Sequence, residues 1–89
     1  MSKIYEVSYD LKKPGQDYEE LIKELKRSSD WWHYLKSTWL IYTNETAEQI
    51  YQRIGKFIDK NDYILIINVG KDYQGWLPND AWDWIKKYL

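Results

Sequence analysis

The stretch "WWHYLKSTWLIYT" (Trp31–Thr43) decides how this chain folds. It is mostly aromatic and β-branched, so it favours strand over helix. It reads as one long strand or as two short ones bent near Lys36-Ser37. Upstream, Ile4 to Tyr9 alternates: Tyr5, Val7 and Tyr9 share one face, and Ile4, Glu6 and Ser8 the other. That is a strand pattern. Lys12-Lys13-Pro14-Gly15 ends it. Asp17 then offers an N-cap with Glu20 three residues on. Tyr18, Leu21, Ile22 and Leu25 follow at helical spacing, which predicts a helix from Asp17 to about Ser28.

Downstream, Thr46 and Gln49 form a second capping box. The apolar stripe Ala47, Ile50, Tyr51, Ile54, Phe57 and Ile58 makes the second helix. After a polar turn at Asp59 to Asp62, "YILIINV" (Tyr63–Val69) is the most hydrophobic run of the chain. It reads as a central strand buried on most of both faces. Gly70 to Gly75 is loop. Pro78, Asn79 and Asp80 then announce a short final helix over Ala81 to Tyr88. Residues 76–89 therefore form a Trp-rich helical tail on a single domain spanning 1–89. The simplest closed solution is α+β: a ferredoxin-like βαββαβ sandwich with an added C-terminal helix. Two helices cover one sheet face in that arrangement. The other face needs a cover, supplied by the tail helix, a two-fold partner or both.

The chain has 89 residues, no Cys, a single His and a net charge of −1. A domain this short has a marginal core, and no disulfide supports it. Six Trp and nine Tyr supply the missing apolar area, and some of them belong in a groove or interface. The near-neutral balance excludes a sequence-independent coat for nucleic acid, which is usually basic. There is no apolar run of signal-peptide or membrane-spanning length, so the expected location is the cytoplasm, without membrane association.

Four features resemble the CRISPR-associated protein two family and its relative, virulence-associated protein D. They are the strand ending "VSYD" (Val7–Asp10), the helix soon after it, "KSTWLIYTNETAEQI" (Lys36–Ile50), and "DYILIINV" (Asp62–Val69). Small proteins of this kind are often labelled SinR-like. The match covers roughly Lys3 to Val69, and beyond it the family usually adds a strand where this tail reads as helix. The resemblance implies a ferredoxin-like homodimer associated with RNA or DNA, either a metal-dependent nuclease or a non-catalytic adaptor. It implies that Asp10 of each protomer faces its twin and holds Mg2+ or Mn2+ for phosphodiester hydrolysis.

Beside that reading stands a plainer one, in which Asp10 ends the strand and accepts hydrogen bonds from the loop amides of Lys12 and its neighbours. Lys12, Lys13 and Lys36 are candidates for phosphate contact, as point charges. His33 is a candidate for base stacking or general-base work. With one His and no Cys, zinc finds no ligand set. Trp31, Trp32, Trp76 and Trp82 are candidates for partner contact, because indoles suit both base stacking and protein hot spots. The competing function is a binding module without catalysis, which captures a protein or nucleotide ligand through exposed Trp and Tyr. In it, the Trp-rich tail holds the protein partner.

Overall fold

The stretch 31–43 is two strands. The computed structural model, which describes residues 1–12 and 18–89, runs β1 (Lys3–Asp10), α1 (Glu19–Lys26), β2 (Asp30–Leu35), β3 (Thr38–Thr43), α2 (Ala47–Ile54), β4 (Tyr63–Asn68) and α3 (Asn79–Tyr88). The break falls at Lys36-Ser37. There Leu35 pairs with Thr38, and the register shifts between Trp32 and Leu35. A single 3-10 turn, Gly55–Phe57, extends α2.

The four strands form one antiparallel sheet in the order β2-β3-β1-β4. The architecture is α+β, with three helices on a four-stranded sheet. Alternation along β1 splits its side chains between two cores. Tyr5 and Val7 join Trp39, Ile41, Leu21, Leu25, Ile50 and Ile54 in a core that buries α1 and α2. Ile4 joins Trp32, Leu40, Ala81 and Ile85 in a second core beneath α3. The C-terminal helix therefore packs on its own sheet. Trp31 and Trp32, adjacent in sequence, serve opposite faces.

Local chemistry sets the element ends. Thr46 accepts from the Gln49 N–H, and the Gln49 side chain accepts in return from the Thr46 N–H, so the capping box of α2 is complete. The helix expected from Asp17 to Ser28 is shorter, Glu19–Lys26. Its expected cap, Asp17, lies outside the described residues, as do Lys13, Pro14 and Gly15. Arg53 of α2 ties the layer together. Its guanidinium forks onto both carboxylate oxygens of Glu45, at 3.0 and 2.9 Å, and donates to Ser28 Oγ and to the backbone carbonyl of Glu24 near the end of α1.

One expectation needs correction. "YILIINV" was placed at the sheet centre, but β4 is an edge strand. Ile64 and Ile66 pack on the first core. Tyr63, Leu65 and Ile67 on the opposite face are 70%, 57% and 49% exposed, because α3 covers only the β2–β3 side of that face. Among the described residues, no helix is long and apolar enough to cross a membrane.

Candidate functional site

Strand register collects the candidate polar residues at one end of the sheet. Asp10 closes β1 opposite Tyr63, the first residue of β4. On the other side Ser8 pairs with Thr38, and the Tyr9 N–H donates to the Ser37 carbonyl at 3.0 Å. The end of β1, the β2–β3 turn and the start of β4 thus meet. Asp10, Lys12, His33 and Lys36 all lie at this end.

Asp10 is exposed, its side chain 62% accessible, and it faces the Lys12 ammonium at 2.8 Å. That hydrogen bond, reinforced by the carboxylate's charge, raises the Lys12 pKa. The Lys12 ammonium also stands 5.5 Å from the centre of the Tyr63 ring. Ser8, Asp10, Tyr63 and Leu65 border a shallow depression there.

The loop-binding job that the plainer reading gave to Asp10 belongs to Asp62. Asp62 is 8% exposed. Its carboxylate accepts from the Lys12 N–H at 2.6 Å, the Tyr18 hydroxyl at 2.8 Å and the Asp59 N–H at 2.8 Å. A carboxylate this buried is tolerated only with such donors. In the sequence Asp62 only closes a polar turn before the last strand, and nothing near it announces Lys12 or Tyr18 as donors.

His33 lies flat on the Trp39 indole, with centroids 4.1 Å apart and planes 15° from parallel. Its Nε2–H donates to the Lys36 carbonyl at 3.0 Å. The buried Trp39 in turn donates from Nε1 to the Tyr9 hydroxyl at 2.9 Å. This column leaves an exposed imidazole over an aromatic stack at the same end of the sheet as Asp10, but on the face that carries α1 and α2, opposite the face Asp10 shares with Ile4 and Tyr63. The Lys36 side chain is exposed. Lys13 has no described position.

The tryptophans divide. Trp31 leans on Trp39 at 5.2 Å, with the Lys26 ammonium 5.3 Å from its ring centre. Trp32 is buried under α3, and its indole N–H has no acceptor among the described residues. Trp82 packs at the margin of the same core, with Tyr73 stacked 6.0 Å away. Trp76 is 97% exposed.

A second feature lies where the segment before α3 crosses the sheet. A cavity of about 300 Å³ opens between the sheet and α3, walled by Trp32, Leu40, Tyr73 and Trp82 and carrying Glu6 and Asp72. Glu6, a charged residue in mid-strand between Ile4 and Ser8, was the signal in the sequence for it.

Among the described residues, no group of three or more His, Cys, Asp or Glu is arranged to hold a metal ion. No known family model matches the chain, and no solved structure matches it.

Proposed function

We propose that this chain is a ferredoxin-like, dimeric, intracellular nucleic-acid-associated protein that hydrolyses phosphodiesters with a divalent ion held at Asp10. One observation carries the proposal: Asp62 takes over the loop amide of Lys12, which leaves Asp10 exposed at the strand end beside an ammonium. An exposed carboxylate that holds no loop amide among the described residues, beside an ammonium able to meet a phosphate, is what such a site requires. The strand order β2-β3-β1-β4 with two intervening helices supports the fold assignment.

The donor set fits Mg2+ or Mn2+ when it is shared. One chain offers one carboxylate, and Mg2+ takes one or two carboxylates together with water and substrate phosphate oxygens. Asp10 from two protomers meets that count. The exposed strip Tyr63, Leu65 and Ile67 flanks Asp10 and supplies the apolar surface for the two-fold contact. When bound, the ion stabilises charge on the phosphoryl group and lowers the pKa of a water. The chain's own residues do the rest. Lys12 and Lys36 hold the phosphates as point charges, and the His33–Trp39 stack offers a ring to a base.

The test is incubation with labelled single- and double-stranded RNA and DNA, with Mg2+, Mn2+ or chelator. The expected result is metal-dependent cleavage that Asp10→Ala abolishes, with the dimer intact. Binding without cleavage, unchanged in Asp10→Ala, would make the chain an adaptor.

A second reading, a binding module without catalysis, is favoured by the aromatic-walled cavity beneath α3. It is tested by ligand titration at Trp82, with Trp82→Ala as the control.

A further inference from the structure

The second face of the sheet holds a carboxylate that no side chain answers among the described residues. Glu6 lies in mid-strand between Leu40 of β3 and Ile67 of β4. It is half-buried, and no hydrogen bond or ion pair reaches it among the described residues. A half-buried carboxylate set between apolar side chains offers a counter-charge to a cation that enters beside it.

The surroundings ask for the same partner. Glu6 lies in the wall of the cavity of about 300 Å³ beneath α3, with Trp32, Tyr73 and Trp82 around it. Aromatic faces carry negative quadrupole charge and attract cations, organic ammonium groups above all. The other charged residue of the wall, Asp72, is also acidic, and among the described residues no Lys, Arg or His contributes to it. Phosphate-bearing ligands are repelled for that reason. The volume stands at the lower end of small-molecule sites.

We infer that this cavity binds a free small organic ammonium compound, with Glu6 as its counter-ion and Trp82, Tyr73 and Trp32 as its aromatic walls. The inference rests on the binding-module reading of the cavity and is independent of Asp10.

The experiment is an NMR titration of the purified protein with choline and, separately, with its neutral carbon isostere 3,3-dimethylbutan-1-ol. The expected result is saturable shifts at the Trp82 indole and the Tyr73 amide with choline. The isostere should bind more weakly by on the order of tenfold, and Glu6→Gln should weaken choline by a similar factor. Equal binding of the two compounds with no effect of Glu6→Gln would overturn the cation while leaving a ligand cavity. No response to either compound would overturn both the cation and the binding-module reading of the cavity. Where Glu6→Gln disturbs the fold, the comparison of choline with its isostere on the native chain decides alone.

Discussion

Asp10 and Asp62 share the end of β1 and divide its work. Asp62 holds the loop through the Lys12 N–H, the Tyr18 hydroxyl and the Asp59 N–H. Replacing it strands those donors, and hydrogen bonds to a charged acceptor are the stronger kind. Asp62→Ala is expected to lose about 3 kcal/mol of stability in a urea titration. Asp10→Ala removes an exposed ion pair and is expected to lose less than about 1 kcal/mol. Equal losses from the two would return Asp10 to a structural role. Distance decides which of these residues could be read from sequence. The Thr46–Gln49 box was legible because its partners lie three positions apart. The Asp62 bonds to Lys12 and Tyr18 were not, since those donors are 50 and 44 positions away.

Glu45 carries a pH signature at the same scale. Burial pushes its carboxyl up, but the Arg53 fork, the Thr43 hydroxyl and the Arg53 charge outweigh that and leave it below its usual value. A folded carboxyl lower than the unfolded one stabilises the protein above the unfolded value. That contribution disappears as pH falls through the lower, folded value. The stability gap between native protein and Glu45→Gln is therefore expected to be full near neutrality and to close only in acid, below the ordinary carboxylate range. A gap that is constant with pH would contradict this.

At the scale of elements, α3 and β4 are the informative pair. α3 buries Ala81 and Ile85 against Ile4, Trp32 and Leu40, and its Tyr88 ring stacks on Tyr42 with centroids 3.9 Å apart. Ile85→Ala should cost about 2–4 kcal/mol in thermal or urea unfolding. The Tyr88 hydroxyl donates to Asp30 at the start of β2, and that bond raises the Tyr88 pKa. The neutral phenol is the bonded form, so the latch persists below the ordinary tyrosine value and opens as pH rises through the raised one. Ultraviolet titration should show a late-ionising component from Tyr88, which Tyr88→Phe should remove. A native profile equal to that of Tyr88→Phe would contradict the latch. The end of α3 at Tyr88 was legible, but its start, expected at Ala81, comes at Asn79, with Pro78 as N-cap and no side-chain cap. The edge position of β4 was not, because an apolar run on both faces has the same pattern whether the second face meets a core or solvent. Only the reach of α3 across the sheet separates the two cases.

At the scale of the whole molecule, the sheet has one face closed by two helices and one closed by half. The uncovered half holds Tyr63, Leu65 and Ile67, a strip next to Asp10. Leu65→Lys is expected to leave the monomer folded, since that side chain is largely exposed, and to halve the mass seen by light scattering. An unchanged mass would contradict a two-fold contact through this strip. The central claim is that two copies of Asp10 share one divalent ion. Manganese binding followed by electron paramagnetic resonance tests it most directly. The account predicts one tightly held Mn2+ per two chains, lost in Asp10→Ala at unchanged oligomeric mass. Contradiction would come from no binding at all, or from binding that survives the substitution.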